Sequence, residues 1–284
     1  MRAIVRLGFT FALILGPAAA GAAGLVHFPS RDAALTGGVP TEITAQLFRP
    51  AGRGPFAAVV GLHGCSGPVD AKGRMRPHDR RWAERLAAEG YVALFPDSFN
   101  PRGQNEICTK REFGGVWPFR ERPLDALGAR DWLAGQGFVD ASRIAIMGWS
   151  NGGIATLRAV SQQNATAFRA AIAFYPGCAV ANRDGGWRAR IPLLMLIGGR
   201  DDWTAPEPCI QLAERRRAAG DPIAITVYPD AYHGFDNPSG EVRVRTGLGS
   251  TKNRDGTAHV GADPAAYADA LGRVSAFLAR HLGR

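Results

Sequence analysis

A serine between two apolar segments is the residue in this sequence best suited to nucleophilic chemistry. Residues 148–152 read Gly-Trp-Ser-Asn-Gly, so Ser150 lies in a G-x-S-x-G pattern directly after the apolar run 144–147. In that pattern the serine occupies a strained strand-to-helix turn, and the two glycines allow the strand and helix to approach closely. In a chain with 36 glycines, one match also fits an ordinary turn with a serine N-cap. The interpretation therefore depends on the other residues of the chain.

The two other residue types that a serine nucleophile requires follow it in the sequence. Asp201 and Asp202 come shortly after one predicted strand, and His233 comes after the last predicted strand. A histidine can take the serine proton and return it to the leaving group, and a carboxylate at its other nitrogen stabilises the imidazolium. The order Ser, Asp, His is that of the α/β-hydrolase triad. Alone, His233 fits a loop histidine and Asp201 fits an N-cap, but their joint placement at strand ends favours a catalytic site.

Ester cleavage also needs backbone donors for the negative charge of its tetrahedral intermediate. The amide after the nucleophile, at Asn151, and the amide of Cys65, in the loop after an earlier strand, are the expected donors. His63 lies in the same loop. Its structural role is favoured over a catalytic one, because His233 fills the role of the base better.

A parallel sheet must position these residues. From residue 56 onward, short apolar runs alternate with segments of helical periodicity, which is typical of a mostly parallel sheet with helices on both faces. Residues 24–49 contain a Gly-Gly turn and period-two alternation over 41–48, which predict an antiparallel edge at the start of the sheet. We therefore predict one α/β domain over residues 24–284, with its site at the carboxyl ends of the strands.

The first 20 residues have the composition of a secretory signal peptide. Arg2 and Arg6 precede a short apolar core over residues 7–15, and the alanines at 18–20 offer a cleavage site. Because the core is shorter than the ~20 residues of a membrane span, we expect export to the periplasm or the medium. Stable membrane insertion is not expected after cleavage, and an uncleaved anchor is the alternative.

The charge of the chain does not indicate a nucleic-acid partner. The formal net charge is +9, but the arginines are scattered and no basic run is interleaved with aromatic residues. The sequence does not indicate an oligomeric state.

The four cysteines contain no C-x-x-C pair, so a zinc site is not expected. Export permits disulfides, and four cysteines allow three connectivities. We favour Cys65–Cys108 and Cys178–Cys209, since each pair would lie on adjacent connections at the carboxyl edge of the sheet. Four buried thiols are the alternative.

Four motifs together resemble the dienelactone hydrolase family of the α/β-hydrolases. They are Leu-His-Gly-Cys-Ser-Gly at 62–67, Gly-Trp-Ser-Asn-Gly-Gly at 148–153, Gly-Gly-Arg-Asp-Asp-Trp-Thr at 198–204 and Tyr-His-Gly-Phe at 232–235. The resemblance covers residues 40–282. The family's G-x-x-D pattern matches Asp201, with Thr204 three residues later, and leaves Asp202 as the alternative acid. The resemblance implies hydrolysis of an ester or lactone without a cofactor.

The sequence departs from this family at the nucleophile. Dienelactone hydrolases proper use a cysteine, whereas position 150 is serine. This difference favours a general carboxylesterase that forms an acyl-enzyme over a dienelactone hydrolase proper. The turn is also similar to that of secreted cutinase-like polyester hydrolases. An exported acyltransferase or peptidase could use the same triad, and a non-catalytic binding protein could use the same scaffold.

The long connection over residues 99–120 is the expected source of substrate contacts, because it has no regular periodicity. It contains Arg102 and Trp117, and His63 and Trp149 are further candidates near the nucleophile. The loop after His63 adds Arg74, Arg76 and His78. A basic, partly aromatic pocket would suit an acidic or aromatic ester. The alternative is that these arginines are solvated surface residues.

Overall fold

The apolar runs of the sequence form a central sheet of eight strands in the computed structural model, which describes residues 24–283. The strands are Gly24–Pro29 (β1), Glu42–Phe48 (β2), Phe56–Leu62 (β3), Val92–Pro96 (β4), Val139–Trp149 (β5), Ala170–Phe174 (β6), Leu193–Gly198 (β7) and Ile223–Tyr228 (β8). Their order in the sheet is β1-β2-β4-β3-β5-β6-β7-β8.

The direction of the strands confirms the predicted fold class. β2 is antiparallel to both β1 and β4, whereas β4, β3, β5, β6, β7 and β8 are mutually parallel. The antiparallel strands are the first two of the described chain, as their alternating pattern predicted. All six parallel strands therefore end at one edge of the sheet, where loops from distant parts of the sequence meet.

Helices cover both faces of the sheet. They are Pro77–Ala88 (α1), Glu121–Ala134 (α2), Asn151–Ser161 (α3), Ala179–Arg183 (α4), Glu207–Ala218 (α5) and Pro264–Leu282 (α6). α2, α3 and α5 pack on one face, and α1 and α6 pack on the other. In β3, Ala58 and Val60 contribute to the first core, whereas Ala57 and Val59 contribute to the second. Both faces are apolar because both are buried, which explains the continuous hydrophobic runs.

The segment 236–262, which shows no regular periodicity in the sequence, contains a small antiparallel ribbon. Its strands are Arg243–Arg245 (β9) and Ala258–Val260 (β10). Strands of three residues are too short to show a period-two pattern, so the sequence gives no signal for them. Elsewhere, α1 begins at Pro77, whose fixed φ suits the first turn of a helix.

The predicted signal peptide lies outside the described residues, since residues 1–23 are not described. Within residues 24–283, no helix combines the length and apolar character required to cross a bilayer.

Candidate active site

The turn between β5 and α3 has the conformation that the G-x-S-x-G pattern predicts. Ser150 has φ of 53° and ψ of −114°, in the left-handed half of conformational space. A Cβ atom on Gly148 would lie 2.6 Å from Thr156 Oγ1, and one on Gly152 would overlap the backbone of Leu62 and His63. Both positions thus require glycine, because β5, α3 and the end of β3 approach each other too closely for a side chain.

Ser150, His233 and Asp201 form a continuous hydrogen-bonded line at the carboxyl edge of the sheet. His233 Nε2 lies 2.9 Å from Ser150 Oγ, and His233 Nδ1 lies 2.7 Å from Asp201 Oδ2. The three side chains come from the ends of β5, β8 and β7. All three are buried, and Ser150 is the most exposed at 8%. This is the geometry that proton transfer from serine to histidine requires.

Hydrogen bonds from its own loop fix the carboxylate of Asp201. Its Oδ1 accepts from the amides of Trp203 and Thr204 at 2.9 and 2.8 Å, and its Oδ2 accepts from Thr204 Oγ1 at 2.9 Å. Asp202 points elsewhere. Its carboxylate lies 2.6 Å from His259 Nδ1 and accepts from the His259 amide at 2.8 Å, which ties β10 to the loop after β7.

The two predicted oxyanion donors belong to segments that lie close to the nucleophile. Asn151 is the first residue of α3, and Cys65 follows β3. A Cβ atom on Gly64 would be 3.8 Å from Ser150 Cβ, so the Cys65 loop passes close to the serine. The Cys65 carbonyl in turn accepts from the Ile107 amide at 2.8 Å. The role of the two amides remains a prediction.

His63 is not placed to contact substrate, so its assignment to the binding pocket is wrong. The ring is fully buried, with Nδ1 donating to the Gly64 carbonyl at 2.8 Å and Nε2 accepting from the Ser98 amide at 3.3 Å. Burial, aided by the nearby Arg122 guanidinium, holds the pKa of His63 well below its usual value. The ring is therefore neutral at pH 7, and it braces the loop that contains Cys65.

Arg102 and Trp117 are also wrongly assigned to the substrate pocket. Arg102 donates to the buried carboxylates of Asp125 and Asp32, at 2.7 Å to each. Trp117 packs in a cluster with Phe113 and Phe119. Neither residue is among those that line the cleft at Ser150. The sequence could not reveal this, because the carboxylates that hold Arg102 lie 70 and 23 residues away.

A cleft of about 440 Å³ opens at Ser150. Its aromatic lining includes Trp149, as the sequence analysis expected, together with Tyr175 and Trp203. Its basic lining includes Arg76 and His78, which were noted in the sequence, and Arg243 and Arg245, which were not; Asp79 and Glu241 bring carboxylates to the same cleft. The two missed arginines belong to the ribbon strand β9, which has no detectable pattern.

The three arginines bring positive charge to a cleft that Asp79 and Glu241 also line. Arg76 Nε donates to the carbonyls of Ser66 and Gly67, both at 3.0 Å, and the Arg245 guanidinium lies 5.0 Å from the centre of the Trp203 ring. Burial lowers the pKa of Arg245; the carboxylate of Glu106 opposes this effect, and the guanidinium groups of Arg243 and Arg76 add to it. Within the described part of the chain, none of the three forms an ion pair with a carboxylate.

A buried carboxylate beneath the cleft is a second feature that sequence reasoning missed. Asp236 is fully buried and accepts from Trp82 Nε1 and Trp149 Nε1, each at 2.9 Å, and from Tyr175 Oη at 2.6 Å. His78 Nε2 lies 2.8 Å from the same carboxylate. Burial opposes ionisation of Asp236, but His78 and the other donors outweigh it and lower its pKa.

The cysteines are paired as the sequence analysis favoured. Cys65 is bonded to Cys108 and Cys178 to Cys209, with Cα–Cα distances of 5.0 Å in both pairs. The first disulfide joins the predicted oxyanion loop to the connection 99–120. Among residues 24–283, no group of three or more His, Cys, Asp or Glu side chains is arranged to hold a metal ion.

Comparison with known proteins gives a consistent assignment. The model of the Dienelactone hydrolase family matches residues 43–282. A protein of Methylorubrum extorquens named "Putative carboxymethylenebutenolidase" is 28% identical over 227 residues, which cover 75% of this chain and 72% of that protein.

Solved structures agree in fold. A dienelactone hydrolase-like promiscuous phosphotriesterase from metagenomic libraries has a TM-score of 0.66 at 20% identity, covering 93% of this chain and 100% of that one. Brefeldin A esterase, a bacterial homologue of human hormone sensitive lipase, has a TM-score of 0.63 at 20% identity, covering 97% of this chain and 81% of that one. The chain, a carboxylic ester hydrolase of the α/β-hydrolase fold, belongs to the dienelactone hydrolase family.

Proposed function

We propose that the protein cleaves a small carboxylic ester or lactone through an acyl-enzyme on Ser150. The observation that carries this proposal is the line of hydrogen bonds from Ser150 Oγ through His233 to Asp201, at 2.9 and 2.7 Å. His233 takes the serine proton as Oγ bonds to the ester carbonyl carbon. Asp201 accepts the Nδ1–H hydrogen bond and stabilises the imidazolium.

The tetrahedral intermediate is stabilised by the backbone amides of Asn151 and Cys65. The bond from carbon to the alcohol oxygen then breaks, and the alcohol leaves with the proton from His233. A water molecule attacks the acyl-enzyme while His233 removes its proton, which releases the acid and restores Ser150. One ester and one water thus give one acid and one alcohol.

The lining of the cleft favours a substrate with a negative charge and an apolar body. Arg76, Arg243 and Arg245 offer guanidinium groups without carboxylate partners among the described residues, and Trp203 offers a flat apolar surface. A guanidinium binds a carboxylate through charge-assisted hydrogen bonds, which contribute about 1.5–3 kcal/mol each. We therefore propose that monoesters or lactones that retain a free carboxylate are preferred over neutral esters of equal size.

Hydrolysis of p-nitrophenyl acetate and butyrate by wild type and Ser150→Ala tests the reaction. We expect the variant to lose activity by about 10³-fold or more, the scale for loss of a triad member. Equal activity in both proteins would refute the role of Ser150. A binding protein without catalytic function would be inactive in both forms and would not react with a fluorophosphonate.

The substrate class is tested by turnover of a neutral and a carboxylate-bearing ester of matched size. For Arg245→Gln and Arg243→Gln, we expect kcat/KM to fall about 10-fold or more for the anionic ester only, since about 1.4 kcal/mol equals a factor of ten. Arg53→Gln is the control, because Arg53 is exposed and precedes β3 at the opposite edge of the sheet. Equal preference for both esters in wild type would refute an anionic substrate.

We also propose that the protein is exported. The first 20 residues have the composition of a signal peptide, and two disulfides are typical of an oxidising compartment. Fractionation of expressing cells followed by N-terminal sequencing tests this. We expect mature protein beginning after Ala20 outside the cytoplasm, and full-length protein confined to the cytoplasm would contradict the proposal.

A further inference from the structure

We propose that Arg122 is a positioning residue that sets the spacing of the two oxyanion amides. The proposal rests on the function proposed above, because it assumes that the amides of Asn151 and Cys65 stabilise the intermediate. Arg122 is the second residue of α2 and lies outside the four family motifs, so no local pattern marks it in the sequence.

The guanidinium group of Arg122 bridges the two backbone segments that contain the amides. Its Nη1 donates to the side-chain carbonyl of Asn151, the first residue of α3. Its Nη2 donates to the backbone carbonyl of His63 at 2.8 Å, two residues before Cys65. The guanidinium fork is planar and rigid, so simultaneous bonds from Nη1 and Nη2 fix the distance between these segments.

The surroundings of Arg122 hold it in this position. The side chain is fully buried, and its guanidinium lies 5.1 Å from the centre of the Phe99 ring. Burial lowers its pKa to about 10, so the group remains protonated at neutral pH. Asp125 and Asp97 favour the cation from a distance, but within the described residues no carboxylate forms an ion pair with it.

The acceptors of Arg122 distinguish it from the other deeply placed arginine of this region. Arg102 pairs directly with the carboxylates of Asp32 and Asp125, which is an arrangement that stabilises the fold locally. Arg122 instead donates to two neutral oxygens, although burying a cation without a carboxylate partner costs free energy. Both oxygens belong to the segments that flank the nucleophile. Its contacts therefore serve the geometry of the oxyanion site.

The first test uses Arg122→Met, which keeps the length of the side chain without donors, and Arg122→Lys, which keeps the charge without the fork. With p-nitrophenyl acetate we expect kcat to fall about 10- to 100-fold in both variants, with KM within about twofold, since small displacements of oxyanion donors weaken only the transition state. A trifluoromethyl ketone, which forms a tetrahedral adduct with serine, should lose affinity by a similar factor.

Arg130→Met is the matched control, because Arg130 lies on the same helix and also donates to a backbone carbonyl, that of Ala167 at 3.1 Å. It should retain wild-type kcat. Asn151→Ala provides a second variant that keeps the backbone amide but removes the acceptor of Nη1. Because both substitutions remove the same hydrogen bond between Arg122 Nη1 and Asn151 Oδ1, kcat of the double variant Asn151→Ala/Arg122→Met should be less reduced than the product of the single effects.

Circular dichroism and fluorophosphonate titration of active sites allow kcat to be expressed per folded site. Folded Arg122→Met with wild-type kcat and wild-type affinity for the ketone would overturn the proposal while leaving the serine hydrolase intact. Strictly multiplicative effects of the Arg122 and Asn151 variants would also overturn it. Failure of the proposed function is a separate result, namely wild-type activity that survives Ser150→Ala.

Discussion

The buried carboxylate of Asp236 gives the sharpest prediction about stability. It joins His78, Trp82, Trp149 and Tyr175, which come from three parts of the chain, since His78 and Trp82 both belong to α1. Asp236→Asn keeps the shape of the side chain, and the tyrosine hydroxyl can turn to accept from the new amide. The change therefore removes mainly the negative charge that faces His78.

The expected loss follows from the environment of His78. Burial opposes its protonation, but the carboxylates of Asp236 and Asp79 outweigh burial and raise the pKa of His78 to about 10. Removing one partner of a buried ion pair costs about 3–5 kcal/mol. The His78 side chain is 22% exposed and retains Asp79, so we expect a loss near the lower limit, about 3 kcal/mol. For a domain of this size, a loss of about 3 kcal/mol lowers Tm by about 6–12 °C.

The same pair predicts the dependence of stability on pH. The unfolded chain loses the His78 proton near pH 6.5, whereas the folded protein retains it until about pH 10. The contribution of this proton to stability is thus fully present below pH 6.5 and is lost as the pH rises toward 10. In Asp236→Asn the pKa of His78 should fall, so stability should decline less between pH 7 and 9.

Urea unfolding followed by circular dichroism at pH 6, 7.5 and 9 measures both effects. Asp269→Asn is the control, because Asp269 also accepts from a tyrosine hydroxyl, that of Tyr228 at 2.8 Å, but its side chain is 45% exposed. The control should lose less than about 1 kcal/mol. If Asp236→Asn also lost less than about 1 kcal/mol and kept the wild-type dependence of stability on pH, the proposed role of the Asp236–His78 pair would be refuted.

Three further predictions concern the geometry of the site. Gly152→Ala introduces a Cβ that would overlap the backbone of Leu62 and His63, so it should lower kcat about 100-fold or more. Gly272→Ala, in open space on α6, is the control and should leave kcat unchanged. Equal activity of the two variants would argue against the close approach of α3 to the end of β3. Thr204→Val removes a 2.9 Å hydrogen bond to Asp201 and should lower kcat about 5- to 10-fold at constant KM; an unchanged kcat would show that the two amides suffice. Replacing both Cys65 and Cys108 by serine opens a link with sequence separation 43 and should cost about 4 kcal/mol in thermal or urea unfolding; unchanged stability would contradict the pairing.

The parts of the site that could be predicted from the sequence are those fixed by local chemistry. The G-x-S-x-G turn, the strand ends and the order of Ser150, Asp201 and His233 are each visible in short stretches. The alternation of strands and helices then requires these stretches to meet at one edge of the sheet. The geometry of the three side chains agrees with that expectation.

The parts that could not be predicted depend on contacts between distant residues. Whether a loop arginine faces a cleft or a buried carboxylate is decided by the fold, so Arg102 was misassigned and Arg245 was missed. Asp236 follows His233 by three residues, yet its partners lie 61 to 158 residues away. No local pattern records such a contact.

The central claim is that Ser150 forms the covalent intermediate with His233 as its base. Reaction with a fluorophosphonate, followed by intact mass measurement, peptide mapping and assay of residual p-nitrophenyl butyrate hydrolysis, tests it most directly. We predict one label per molecule on the peptide that contains Ser150, loss of hydrolysis in proportion to labelling, and labelling that is strongly slowed in His233→Ala. Hydrolysis that persists after complete labelling, or a label on another residue, would contradict the claim.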